Sequence, residues 1–107
     1  MIERPLTLGE FLVKKKPRTE PEILACLAYF LEKKAGKRVE LTASEAIRHL
    51  THTGYKIRDM ATAFIRARER KAYFERVGDE RPIIHRLTQT GAEAVENLPK
   101  PSKKKDG

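Results

Sequence analysis

Apolar residues recur every three or four positions along much of the chain, which is the spacing that amphipathic helices show. Thr7, Thr19 and Thr42 each precede a glutamate by three positions, a pairing that caps helix N-termini. Together these signals predict a short helix over 8–15, a longer one from Thr19 to about Ala35, and another over about 43–52.

A further helix is predicted over about 56–69, after a turn of only three or four residues. Apolar positions in this segment follow the helical repeat, as Ile57, Met60 and Phe64 illustrate. Asp59 is expected in its first turn, where a carboxylate stabilises the helix dipole but would repel a phosphate. Most other outer positions are basic, so this helix would present a positively charged face.

After residue 71 the apolar period shortens to about two, which is typical of strands. Two alternating runs, 72–77 and 82–87, flank a Gly-Asp-containing turn at 78–81 and predict a β-hairpin. The run at 38–41 also alternates but is long enough only for one ladder step. A final helix is expected after the hairpin, capped by Thr88.

The predicted order is α-β-α-α-β-β-α, preceded by a short N-terminal helix. Three helices would form the core and the hairpin would extend from one edge as a wing. This is a mainly α fold with a small β-hairpin (α+β), a winged helix-turn-helix. We expect a basic segment with a short helix at 1–18, the winged-helix domain at 19–98 and a disordered basic tail at 99–107.

Composition narrows the function classes. The chain has 107 residues and a single cysteine, Cys26, which excludes an internal disulfide and a thiolate zinc site. His49 and His52 share a helix face but lack further ligands nearby, so no metal or other cofactor is expected. We find no arrangement of residues typical of a catalytic centre and predict that the chain is not an enzyme. No apolar run is long enough for a membrane span or a signal peptide, which predicts a cytoplasmic protein.

The net charge is +8, and its distribution is uneven. The segment 56–71 holds six basic and two acidic residues, whereas 19–98 as a whole holds fourteen and twelve. The two ends, 1–18 and 99–107, are also basic. A near-neutral body with one basic stripe and two basic ends indicates a polyanionic partner. The alternative is a solvated basic face, with Arg66 or Arg70 paired to an acid such as Glu69 or Glu75.

Two segments resemble known regulators. The segment 41–50, Leu-Thr-Ala-Ser-Glu-Ala-Ile-Arg-His-Leu, resembles the second helix of winged-helix regulators. The segment 86–94, which contains Leu-Thr-Gln-Thr-Gly, resembles the hinge between wing and last helix in the PadR and MarR families. The similarity covers roughly 22–98. It implies a DNA-binding protein that works as a dimer on two half-sites.

In helix-turn-helix proteins the second helix of the motif enters the major groove, and its first residues reach the base edges. The candidates for base contact are Tyr55, Lys56, Arg58, Thr62 and Arg66. Other basic or hydroxyl groups are expected to meet phosphates and so set the register. These candidates are Thr42, Ser44, Arg68, Arg70, Lys71 and Arg81. The two acidic residues at the hairpin tip are unfavourable to a wing contact with DNA.

The leading hypothesis is a transcriptional regulator, or a plasmid- or phage-type accessory factor, that binds double-stranded DNA and is then nucleoid-associated. A homodimer would form through Leu8, Phe11 and Leu12 or through the last helix. The alternative is a winged-helix protein–protein adaptor within a larger assembly. RNA binding is less favoured, because no aromatic residues interleave with the basic stripe.

Overall fold

The computed structural model describes residues 5–99. These residues form five helices and three strands in the following order: α1 (Leu8–Lys15), α2 (Glu20–Ala35), β1 (Glu40–Leu41), α3 (Ala43–Leu50), α4 (Met60–Glu69), β2 (Phe74–Val77), β3 (Ile84–Leu87) and α5 (Gln89–Glu96). The predicted α+β class and the predicted order of elements are confirmed.

Side-chain caps define where the helices begin. Thr7 and Thr42 each accept a hydrogen bond from the backbone N–H of a glutamate three residues on, and that glutamate accepts one in return. Thr19 and Thr88 cap α2 and α5 through their hydroxyl groups. The predicted starts of these four helices are therefore confirmed, because each cap satisfies an N–H that the helix itself leaves unpaired.

The start of α4 corrects a prediction. The helix was expected over about 56–69 but begins at Met60, and α3 ends at Leu50 rather than near residue 52. The connection 51–59 is therefore nine residues long, not a tight turn. Asp59 causes the difference: its backbone is extended (φ −129°, ψ 96°) and its carboxylate accepts from the N–H of Thr62, so it is the N-cap.

The strands form one antiparallel sheet with the order β1-β3-β2. Both hairpin strands are shorter than predicted, and β1 adds a third strand beside the hairpin. On one face of the sheet, Arg86 of the central strand pairs with Glu75 of β2 at 2.8 Å and with Glu40 of β1 at 3.9 Å. The alternate residues His85 and Leu87 are buried on the other face, against the helices.

The core is centred on α2, which packs against every other helix and against β3. The largest fully buried side chains come from four of the helices and from β3: Leu12, Leu24, Cys26, Leu27, Phe64, Leu87 and Val95. Cys26 is thus a buried residue of the core, and burial raises the pKa of its thiol to about 12.

The N-terminal helix belongs to this core. Leu12 is fully buried, and the ring of Phe11 packs on Phe30 with the ring centroids 5.5 Å apart. Leu12 has no surface left for a second copy, which corrects its predicted role in a dimer, while Leu8 and Phe11 stay half-buried. The predicted tail, apart from Pro99, lies outside the described residues. Within residues 5–99, no helix combines the length and apolar character needed to cross a membrane.

Candidate functional site

One edge of α4 lines a cleft rich in arginine. The side chains of Arg58, Thr62 and Arg66 meet the residues that open α2. We call this the arginine cleft; its lining residues are Arg18, Thr19, Glu20, Pro21, Arg58, Asp59, Thr62 and Arg66. Three of the predicted base contacts are thereby brought together with Arg18, which was not predicted.

Two helix N-termini meet at the arginine cleft, because α2 and α4 both begin there. The backbone N–H of Arg58 donates to Glu20 at 3.4 Å and joins the two helix starts. The hydroxyl and the backbone N–H of Thr62 both donate to Asp59, and these bonds lower the pKa of that carboxyl. The positive ends of two helix dipoles thus add to the charge of the arginines, while two carboxylates offset part of it.

The arginines of this cleft are exposed and form no ion pair within residues 5–99. Among residues 5–99, no carboxylate lies within ion-pair distance of Arg18, Arg58 or Arg66. The acids that the sequence offered as partners are engaged elsewhere. Glu69 pairs with Arg68 at 3.5 Å, and Glu75 pairs with the sheet arginine Arg86. The pairing of Arg66 or Arg70 with these acids is therefore absent from this part of the chain.

The opposite edge of α4 lines a second cleft, between the start of α3 and the hairpin. We call this the hairpin cleft; its lining residues are Thr42, Ala43, Ser44, Ala61, Ile65, Arg68, Arg81, Pro82, Ile83 and His85. It brings together four predicted phosphate contacts from three parts of the chain. Ser44 and Arg81 are exposed, whereas Thr42 is half-buried and the side chain of Arg68 is just 23% exposed.

The remaining predicted residues lie apart from these two clefts. Tyr55 and Lys56 belong to the connection before α4, and they line a recess beside α3. The hydroxyl of Tyr55 donates to the carbonyl of Leu12 at 3.4 Å, so it holds the connection against α1. Arg70 and Lys71 follow the last turn of α4 and are exposed.

The hairpin connection is held by an arginine. The guanidinium of Arg76 donates to the carbonyls of Gly78 at 3.1 Å and of Asp79 at 3.2 Å. These bonds engage Arg76 within its own loop, and Arg81 is the cation that this loop contributes to the hairpin cleft. The acidic side chains of Asp79 and Glu80 are exposed, as expected.

Three residues of this surface were missed from the sequence. Arg18 precedes the cap of α2, and no local pattern indicates that α4 begins beside it. Ala61 and Ile65 are exposed on the outer side of α4, with Ile65 44% exposed. The signal for Ile65 was available, because it falls outside the buried stripe that Met60, Phe64 and their helical neighbours form.

No group of three or more potential metal-ligating side chains occurs in the part of the chain that the structure describes. His49 and His52 are both exposed.

Comparison with known proteins gives no match: neither a family model, nor a curated protein, nor a solved structure matches this chain.

Proposed function

We propose that this chain is a small winged-helix DNA-binding protein whose helix α4 enters the major groove. One observation carries the proposal: Arg18, Arg58 and Arg66 surround the start of α4, exposed and without an ion pair among residues 5–99. Three arginines against two carboxylates leave this face positively charged, so it attracts a polyanion, and guanidinium groups bind phosphates and guanine edges.

The arrangement of elements supports the winged-helix assignment. Helices α2, α3 and α4 pack on one another, and the β2–β3 hairpin follows α4 directly. The sheet order β1-β3-β2 places the short strand before α3 beside the hairpin. In helix-turn-helix proteins the second helix of the motif reads DNA, and α4 takes that position after α3.

The shape of α4 also suits a groove. An α-helix with its side chains is about 10–12 Å across, which fits the major groove of about 12 Å, and the ten residues of α4 extend about 15 Å along it. Arg58 and Arg66 would reach base edges or phosphates on one side. Exposed Ala61 and Ile65 would contact thymine methyl groups, which explains why apolar residues lie outside the core.

The surroundings of α4 provide phosphate contacts on both sides. Ser44 and Thr42 at the start of α3, with Arg81 of the hairpin, would meet one backbone, and Arg18 the other. Arg70 and Lys71 would add contacts beyond the end of α4. We propose the biological role of a transcriptional regulator or accessory factor at the nucleoid, working as a dimer through Leu8 and Phe11 or through α5.

A fluorescence-anisotropy titration tests the proposal, with random-sequence duplex DNA at about 50 and 200 mM salt. We expect affinity to fall steeply with salt, with a log–log slope of about −0.9 per phosphate contacted.

Substitutions locate the contact on α4. Arg58→Ala combined with Arg66→Ala should abolish duplex binding while helicity is retained. Lys33→Ala with Lys37→Ala removes the same charge in the last turn of α2 and just beyond it, and should leave most of the affinity. Equal losses in both variants would refute the assignment of α4.

A protein–protein adaptor is the second candidate, and the recess beside α3 favours it. Ile47 is 53% exposed there, next to Leu50, Ile57 and Met60. An adaptor would bind a partner through this apolar surface. The anisotropy titration separates the two functions. If a folded sample binds no duplex at low salt, the DNA-binding function is refuted and the adaptor function is favoured.

A further inference from the structure

The hairpin cleft contains polar groups that the described residues leave unsatisfied. Nη1 of Arg68 and Nδ1 of His85 are both buried and have no hydrogen-bond partner within residues 5–99. In that part of the chain these are the only two buried side-chain nitrogen or oxygen atoms of this kind. Both residues line the same cleft. Nη1 of Arg68 is a donor, and Nδ1 of the imidazole donates in one of its two neutral tautomers. Because an unpaired buried polar atom is costly, two of them at one place indicate a site for a ligand that accepts hydrogen bonds.

The charges around the cleft select an anion. Arg68 and Arg81 both line it, whereas no aspartate or glutamate is among its lining residues. Arg68 also pairs with Glu69, but only through Nη2 and at 3.5 Å, so the second nitrogen stays free for another acceptor. The start of α3 adds the positive end of its dipole, with Ser44 exposed beside it.

The apolar lining residues of the hairpin cleft favour a ligand with a short hydrocarbon chain. Five of the ten lining residues are alanine, isoleucine or proline: Ala43, Ala61, Ile65, Pro82 and Ile83. The cavity volume is about 250 Å³, which is below the usual range for a drug-sized ligand. A small molecule with one anionic head and a short hydrocarbon body matches both the charge and the lining.

We propose that the hairpin cleft binds a small aliphatic carboxylate, with its head group at Arg68 and His85 and its body against Ile65 and Ile83. Both polar atoms are covered from solvent in the free chain. Binding therefore requires a small rotation of the flexible Arg68 side chain toward the cleft. Burial, with Arg68 and Arg76 nearby, lowers the pKa of His85 to about 4, so the imidazole is neutral at pH 7 and can donate one N–H to the carboxylate.

An NMR titration of the full chain with sodium hexanoate at pH 7 tests this site, without DNA in the sample. We expect saturable shifts of the amide and methyl signals of Ala43, Ala61, Ile65 and Ile83. 1-Hexanol has the same chain length without the charge, and it should bind about tenfold more weakly or worse, because a hydrogen bond to a charged group is lost. Equal affinity for both probes, or no saturable shift at these residues, would overturn the proposal.

Two substitutions locate the head group. Arg68→Gln should weaken hexanoate binding by about tenfold or more. Arg70→Gln removes the same charge from an exposed residue outside the cleft and should leave the affinity unchanged. If Arg68→Gln does not fold, Arg81→Gln is the substitute. Arg81 lines the cleft and is exposed, so its replacement should weaken hexanoate binding and leave the fold intact. Unchanged affinity in the folded cleft variant would refute the assignment. Because no duplex is present, this result is independent of the DNA-binding proposal.

Discussion

The imidazole of His85 lies almost parallel to the ring of Phe64, with the two ring centroids 3.9 Å apart. This stack joins the inner face of β3 to the middle of α4, and both residues are buried. Burial disfavours the charged imidazolium and lowers the pKa of His85 to about 4, and the positive charges of Arg68 and Arg76 act in the same direction. The position of α4 therefore depends on a histidine that must be neutral in the folded state.

We expect stability to fall between about pH 6.5 and pH 4. The folded-state pKa of His85 is about 4 and the reference value is 6.5, so in this window the unfolded chain binds the extra proton. The contribution is fully present above pH 6.5 and is lost as the pH falls towards 4. Its full size is about 3 kcal/mol, of which about 2 kcal/mol is lost by pH 5. Urea denaturation at pH 7.5, 6 and 5 measures the part that is lost by pH 5.

The histidine responsible can be identified by substitution. His85→Phe keeps a ring against Phe64 and removes the titrating group, so the decline between pH 7.5 and 5 should flatten. His49→Gln removes an exposed histidine and should leave the decline in place. A decline of the same size in His85→Phe would show that another group controls the acid response.

Gly91 permits the contact between α5 and the strand side of the core. A Cβ at this position would collide with the carbonyl oxygen of Tyr73 and with the Leu87 side chain. We expect Gly91→Ala to lower the free energy of unfolding by about 1–3 kcal/mol, as overpacking does. Gly9→Ala is the matched control, because its Cβ would make only an ordinary contact with Thr53. Urea denaturation should show no loss there, or a gain of up to about 1 kcal/mol from helix propensity.

The helices could be predicted where local chemistry sets their ends. Thr7 and Thr42 are followed by a glutamate at the right spacing, and the structure forms both capping boxes. The start of α4 could not be placed in this way, because Ile57 continues the apolar period although it lies in the connection. Ile57 is half-buried and packs on the core from outside any helix. The helical spacing of apolar residues before Met60 therefore reflects a loop residue that packs on the core, not a longer helix.

The candidate surface was only partly predictable for a similar reason. Arg58 and Arg66 were found because they lie on or next to one basic helix. Arg18 lies forty residues before Arg58, and only the packing of α4 against α2 brings it there. The burial of Arg68 was also hidden, since its neighbours in the cleft come from α3 and the hairpin. Long-range contacts leave no periodic signal in the sequence.

Asp59 has two opposing effects that substitutions can separate. It caps α4, and its charge lies in the arginine cleft that we propose contacts DNA. Asp59→Asn keeps a capping side chain, so the urea midpoint should stay near that of the original chain, whereas Asp59→Ala should lower it. Both variants should bind duplex DNA about two- to fivefold more tightly at low salt, because a repulsive charge is removed.

The control for Asp59 is Glu93→Gln on α5, which removes an exposed acid far from the cleft in sequence. Anisotropy at low salt compares the three variants with the original chain. Tighter binding by the Asp59 variants alone would place the duplex at the start of α4. If Glu93→Gln gave the same gain in affinity, net charge rather than position would explain the effect, and the proposed contact between the arginine cleft and DNA would be refuted.

Arg18 provides the sharpest test of the arginine cleft, because only the folded structure links it to α4. Its side chain is exposed and makes no ion pair within residues 5–99, and the hydrogen bond to Glu22 uses its backbone N–H, which a substitution keeps. Arg18→Ala should therefore leave stability unchanged. It should weaken duplex binding about as much as Arg66→Ala does and reduce the salt slope by about one.

The control for Arg18 is Lys37→Ala, which removes the same charge beyond the other end of α2 and should change neither the affinity nor the salt slope appreciably. If Arg18→Ala and Lys37→Ala behaved alike in the anisotropy titration, the duplex would not extend to the start of α2, and the interface would be limited to α4 and the hairpin side.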